Sequence, residues 1–296
     1  MIELRVVRIP LVRPFATSQG ITHERDVLLA HVLDEPEGWG ESNDGRAAIE
    51  IARLDAQLRR DGISLARHLG GTRASIESTA TVGFEDDVDE FLAAGYRSLK
   101  FKVSPEQVPV IPPGVSVQVD ANGSFALCPD RVAELDDLGL LAIEQPLASD
   151  DFEGHRRLTQ RLTTPVCLDE SITSADVVSF EACGAVCVKY ERLGGLVQAR
   201  AVHDRARELG LDAKVGGNLE TGIGRATALA LASLPGFTLP ADLSASDRYW
   251  RRDITAPFAL DADGRLRVPD GPGLGVEVDL ELIERVTIRR EVVDSD

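Results

Sequence analysis

The chain has 296 residues, 43% of them apolar, and a formal net charge of −17. That length suits one large domain or two modest ones, because α/β barrels run past the usual domain size. The acidic balance argues against a nucleic-acid partner, which needs a basic face, and against anionic membrane surfaces; no run of about 20 apolar residues is present to span a bilayer.

Residues 3–9 and 27–33 read as two strands joined by a polar loop at 13–22. The opening MIELRVVRIP mixes charges with apolar residues and lacks a signal-peptide core, so a cytoplasmic location is expected. Gly38-Trp39-Gly40-Glu41 follows, then a helical pattern at 46–60. From residue 75 onward short apolar runs alternate with amphipathic segments. The runs are 75–82, 98–103, 115–120, 140–144, 166–169, 185–189, 212–216 and 238–243, and they read as buried parallel strands. The segments 85–94, 131–138, 152–162, 175–182, 196–209 and 225–233 read as helices, several ending at Gly.

Eight strands alternating with helices specify a (β/α)8-type barrel over residues 74–263. Its second crossover is modified: 104–114 contains Pro105, Pro109, Pro112 and Pro113, so an irregular loop is expected in place of a helix. Residues 1–73, completed by 264–296, read as a small α+β capping domain formed from both chain ends. Within the tail, 264–284 is expected to add a strand and a short helix to that cap.

Four cysteines, Cys128, Cys167, Cys183 and Cys187, form no CxxC pair and read as buried reduced thiols. Of 32 basic residues only four are lysine: Lys100, Lys102, Lys189 and Lys214. Lysine can lose its proton where arginine cannot, so the few lysines mark positions where arginine will not serve.

Polar residues end the apolar runs: Asp120 after Val117-Gln118-Val119, Glu144 after Leu141-Ala142-Ile143, Asp169 after Val166-Cys167-Leu168, and Lys189 after Val186-Cys187-Val188. Catalytic groups of such barrels sit at the C-terminal strand ends. Each acid alone could be a helix cap or an ion-pair partner. Three on consecutive strands converge, repel and push one another's pKa upward unless a hard cation sits among them. An all-oxygen set suits Mg²⁺, with Mn²⁺ as a substitute, rather than zinc. Lys100 and Lys102 are two apart on one strand and face the same way. Their mutual repulsion is expected to lower a lysine pKa toward neutrality and make it a base. Lys189 ends the sixth strand, opposite the second. Lys214 fits this pattern less well and reads as structural. The run 216–224, Gly-Gly-Asn-Leu-Glu-Thr-Gly-Ile-Gly, is either a tight turn or a close backbone approach to an anion, with Gly216, Gly217 and Asn218 as substrate contacts. Together these residues point to removal of a proton next to a carboxylate, with a metal-stabilised enediolate.

At this point the chain resembles the enolase superfamily, muconate-lactonizing subgroup. The pieces that carry the likeness are Gly38-Trp39-Gly40-Glu41-Ser42, Lys100-Phe101-Lys102, Val119-Asp120-Ala121-Asn122, Ile143-Glu144-Gln145-Pro146, Leu168-Asp169-Glu170-Ser171, Val188-Lys189 with Arg192-Leu193-Gly194-Gly195, and the 216–224 run. Within the subgroup it most resembles the o-succinylbenzoate synthases, lyases of menaquinone biosynthesis. That resemblance implies Lys102 as the base and then the acid, Lys189 as the cation stabilising the enediolate, Lys100 as an electrostatic helper, and Asp120, Glu144 and Asp169 as Mg²⁺ ligands. It implies a small-molecule carboxylate substrate covered by the loop 13–20, with Ser18 as a contact. An N-acylamino acid racemase or another epimerase of the superfamily is the alternative, with muconate cycloisomerisation behind it. Asp242-Leu243-Ser244 lacks the Asp-x-Asp pair of the dipeptide epimerases. A non-catalytic barrel relative, or a Schiff-base lyase working through Lys189, belongs to a different class. The sequence sets no oligomeric state.

Overall fold

The computed structural model describes residues 1–17 and 20–293. Strands β1 (Ile2–Thr17), β2 (Gly20–Val32) and β3 (Gly38–Glu41) come first, then helices α1 (Gly45–Asp61) and α2 (Leu65–Leu69). The barrel elements follow: β4 (Ser75–Glu77), β5 (Thr79–Val82), α3 (Val88–Ala93), β6 (Ser98–Lys102), β7 (Ser116–Asp120), β8 (Ala142–Glu144), α4 (Phe152–Arg161), β9 (Val166–Leu168), β10 (Ala185–Val188), α5 (Tyr190–Leu193), α6 (Leu196–Glu208), β11 (Asp212–Val215) and α7 (Gly222–Ala232). The chain finishes with β12 (Arg265–Arg267), α8 (Leu280–Val286) and β13 (Thr287–Val293).

Seven parallel strands run in sequence order from β5 to β11. The eighth staved position is reduced to two bridging residues: Ala241 pairs with Ser78 and Asp242 with Gly216, which joins β11 back to β5. The expected strand at 238–243 is therefore present only as this closure. Both faces of each strand are buried. Leu99, Phe101, Val117, Val119 and Ile143 pack outward under the helices, while the alternate residues Lys100, Gln118 and Glu144 line the barrel interior. No helix forms between β6 and β7, as the four prolines dictate. The segments expected as helices at 131–138 and 175–182 are instead 3-10 turns, Pro129–Leu138 and Val177–Phe180. In the first, the Asp136 carboxylate accepts from the Thr163 and Thr164 amides.

The cap is a four-stranded antiparallel sheet, β13-β1-β2-β3. Its hairpin is longer than expected. Within the stretch expected as a loop, the described residues 13–17 and 20–22 are strand; pairing continues through Phe15↔Thr22 to Thr17↔Gly20 beyond an irregularity after Pro10. An antiparallel pair can leave one face polar, so hydrophilic sequence does not end it. The strand expected to join the cap from 264–284 is also corrected: β12 pairs with β4 beside the barrel, and the C-terminal cap strand is β13. Helix α1 lies on this sheet. Asp44 caps its start by accepting from the Arg46 and Ala47 amides, and Gly62 ends it in the left-handed region. Buried Asp55 accepts from Trp39 N at 2.9 Å and Leu274 N at 2.7 Å, tying α1 to β3 and to the C-terminal segment. No helix among the described residues is long and apolar enough to cross a membrane. All four cysteines are free; three are buried and Cys128 is half-buried.

Candidate active site

Register brings the first three groups together. Lys102 pairs with Asp120, and Asp120 with Glu144, so the ends of β6, β7 and β8 stand side by side. Asp169 follows β9 and Lys189 follows β10, one strand further round each time. The strand ends open into a cavity of about 260 Å³ whose walls include Lys100, Lys102, Asp120, Lys189 and Asp242. The expected lysines and the first acid thus meet in one space; Glu144 and Asp169, 0% and 1% exposed, do not line it but are held by the lining lysines Lys100 and Lys189.

The ion pairs are dense. Lys100 Nζ lies 3.1 Å from both Asp120 Oδ2 and Glu144 Oε1, and also contacts Asp242. Lys102 Nζ donates to Asp120 Oδ2 at 2.7 Å and to Asn122 Oδ1 at 2.6 Å. Lys189 Nζ donates to Asp169 Oδ2 at 2.8 Å, and Arg192 holds the other oxygen of the same carboxylate. Lys214 is 0% exposed and donates to Gln118 Oε1 and Glu144 Oε2. It is structural in the sense expected, and it also fixes one face of Glu144.

These contacts reverse part of the electrostatic expectation. Burial alone lowers the pKa of Lys100 and Lys189, but the facing carboxylates outweigh it and both are held above the ordinary lysine value. Burial alone raises Asp120 and Asp169, but Lys100 and Lys102 on one, and Lys189 and Arg192 on the other, pull them below the ordinary carboxylate range. Only Glu144 moves up as expected, through burial and then Asp120, against Lys100 and Lys214. Repulsion between lysines loses because each ammonium touches a carboxylate directly.

Among the described residues, Glu144, Asp169 and Cys187 form a grouping that could hold a metal ion, with one donor atom from each within 4.8 Å of the others. Burial, with Asp169 and Glu144 nearby, pushes the Cys187 thiol well up and keeps it neutral, so the carboxylates are the donors that suit a hard cation. Asp120 stands just outside this group, turned toward Lys100 and Lys102. Three buried oxygen-bearing acids at adjacent strand ends fit a divalent cation.

The 216–224 run behaves unevenly. Gly217 and Asn218 line the cavity. Gly216 serves another purpose: a Cβ there would lie 2.5 Å from Lys189 Cε and 2.5 Å from Cys187 Sγ. Its missing side chain makes room for the lysine stem. Ser18 lies outside the described residues; Thr22 of β2 reaches the cavity wall.

Several residues escaped the sequence reading. Asp242 was noted only for the second acid it lacks, yet it meets Lys100 inside the cavity. Gln145, with φ +39°, accepts from Asp169 N at 2.9 Å and donates to Ser171 Oγ at 2.8 Å, so it orients the β9 end. Glu41 reaches from the cap to the start of α7, accepting from Thr221 N at 2.9 Å and Gly224 N at 2.8 Å. Burial, then Glu191, pushes its carboxyl up to about 8.

Residues 83–282 match the family described as Enolase C-terminal domain-like. The N-succinylamino acid racemase of Amycolatopsis sp is 38% identical to this chain over 99% of both chains. The o-succinylbenzoate synthase of Geobacillus kaustophilus is 40% identical over 88% of this chain and 75% of its own. The crystal structure of an enolase-superfamily member from Listeria innocua Clip11262 superposes with a TM-score of 0.90 at 28% identity, covering 98% of this chain and 97% of that one. Barrel, strand-end acids, opposed lysines and these likenesses agree, and the chain belongs to the enolase superfamily.

Proposed function

We propose that this chain is a metal-dependent o-succinylbenzoate synthase. It would dehydrate 2-succinyl-6-hydroxy-2,4-cyclohexadiene-1-carboxylate to o-succinylbenzoate, a carbon–oxygen lyase step of menaquinone biosynthesis. The observation that carries this reading is the pair of cavity lysines, Lys102 and Lys189, on opposite strands beside buried carboxylates. The 40% identity to the Geobacillus kaustophilus synthase supports it.

Asp120, Glu144 and Asp169 would hold the cation. When bound, Mg²⁺, or Mn²⁺ in its place, supplies positive charge beside the substrate carboxylate as that carboxylate becomes an enediolate. Lys102, as the neutral amine, takes the α-proton at Nζ. The carbon–oxygen bond to the ring hydroxyl then breaks, and the same Nζ returns a proton to the departing hydroxide, so the products are the aromatic dicarboxylate and water. Lys189 stays an ammonium, held by Asp169, and faces the developing negative charge from the other wall. Lys100 keeps its charge between Asp120, Glu144 and Asp242 and adds to the same field.

A racemase reading has its own support, namely 38% identity to the Amycolatopsis N-succinylamino acid racemase over nearly the full length of both chains. In that reaction Lys189 would be a second base on the opposite face. The deciding experiment is an assay of the purified protein with the cyclohexadiene and with an N-succinylamino acid, each with Mg²⁺ and with EDTA. Turnover of the cyclohexadiene that EDTA abolishes is expected. Turnover of the N-succinylamino acid alone would replace the proposal with the racemase, and loss of neither activity in EDTA would remove the metal.

A further inference from the structure

Lys102 is surrounded in a way that selects one of its three N–H directions. Its Nζ donates to Asp120 Oδ2 and to Asn122 Oδ1, and an ammonium carries three donors and no acceptor. The third direction has no partner among the described residues, and Lys102 lines the cavity. That free direction is where a proton can be exchanged with substrate.

Asn122 is itself over-determined. Its backbone sits in the left-handed region, φ +44°, at which Asn is tolerated better than most residues. Its amide N–H donates to Asp120 Oδ1 at 3.1 Å. Its side-chain Nδ2 donates to Glu170 Oε1 at 2.9 Å. A carboxylate can only accept and an ammonium can only donate. Glu170 on one side and Lys102 on the other therefore leave the Asn122 amide a single orientation, with oxygen toward the lysine. Glu170 follows Asp169 directly in the chain and lines the same cavity.

Resting on the reading of Lys102 as the base, we propose that Asn122 and Glu170 are positioning residues that aim the Lys102 Nζ at one face of the substrate. Glu170 sets the Asn122 amide, the Asn122 oxygen and Asp120 hold two N–H directions, and the remaining one points into the cavity. General-base catalysis depends on that aim. Neither residue need touch the substrate.

Two readouts test this, one without turnover. The chain has only four lysines, so protein labelled with ¹³C at lysine Cε should give four methylene signals, and Lys102→Arg assigns one of them. Asn122→Leu and Glu170→Leu should each move the Lys102 signal, while Glu170→Gln, which keeps an acceptor, should return it close to its wild-type position. An unmoved Lys102 signal in both leucine variants overturns the proposal, whether or not the functional reading stands. In the reaction, Asn122→Leu should lower kcat about 10²-fold, as expected for a misdirected base, with KM within about 2-fold. With the two enantiomers of an N-succinylamino acid in D₂O, α-hydrogen exchange should slow strongly for the enantiomer served by Lys102 and less than about 3-fold for the one served by Lys189. Equal slowing of both would mean a general structural role and overturns the aim. Wild-type protein inactive on every substrate would instead remove the functional reading, leaving the spectra to judge the positioning.

Discussion

Replacing Gly216 with Ala puts the missing side chain to a quantitative test. The new Cβ would stand 2.5 Å from Lys189 Cε, 2.5 Å from Cys187 Sγ and 2.8 Å from Lys189 Cγ. Ordinary carbon–carbon contact begins at ~3.5 Å, so the lysine stem has to give way by about 1 Å. Its ammonium is tethered to Asp169 at 2.8 Å, so the stem can move aside into the cavity only by pulling that contact out of place. A misplacement of about 1 Å costs on the order of 10²-fold in rate, and overpacking of a dense site costs about 1–3 kcal/mol. Gly216→Ala should therefore lower kcat about 100-fold and Tm by roughly 2–12 °C, at about 2–4 °C per kcal/mol for a domain of this size. Steady-state kinetics and a thermal melt measure both. A kcat within about 3-fold of wild type would refute the argument that Gly216 exists to seat Lys189.

Three further outcomes are expected. Lys102→Ala should cut kcat by at least ~10³-fold, within the range that a positioned general base contributes, with a circular dichroism spectrum like wild type; full turnover would remove Lys102 from the mechanism. Asp120→Asn should weaken Mn²⁺ binding by at least ~10-fold, measured by calorimetry in the absence of substrate; unchanged binding would take Asp120 out of the ligand set. Glu41 gives a pH dependence of stability. Its carboxyl is raised from 4.5 to about 8 in the folded chain, by burial first and then Glu191. Between those values the folded chain keeps the proton and the unfolded chain releases it, so stability falls as pH rises from about 4.5 and the full cost, about 5 kcal/mol, is in place above about pH 8. Thermal melts from pH 6 to 9 should decline, and Glu41→Gln should flatten the decline; parallel curves for the two proteins would count against it.

The strand ends were legible because each buried run stops abruptly at one charged residue, as Val117-Gln118-Val119 does at Asp120. The second crossover was legible because proline has one reading. Asp242 was not, because it falls inside the run read at 238–243 rather than closing it, and that strand survives only as two bridges. The hairpin at 13–22 was misread because backbone pairing, rather than hydrophobicity, extends it. The expected lowering fails at Lys100 for a related reason. Sequence shows which charges share a strand, such as Lys100 and Lys102, but not which charges from other strands reach them first. Asn122 was quoted as part of a motif and its role stayed hidden, because that role depends on Glu170, 48 residues away, whose carboxylate meets it only in the fold.

The cap sheet carries a consequence for biosynthesis. Strand β1 is made long before β13, yet its second edge is filled only when β13 pairs with it, Ile2 against Val293. The Glu41 latch on Thr221 likewise joins residues 180 positions apart. Contacts of such separation form late, because closing the intervening loop costs entropy before anything is gained. A nascent chain stalled before residue 287 would already hold all its lysines and acids at the barrel mouth, under an unfinished roof with one raw sheet edge. Such an edge invites pairing with other chains. Chaperone dependence and aggregation during synthesis should therefore trace to strand β13 rather than to the barrel that holds the chemistry.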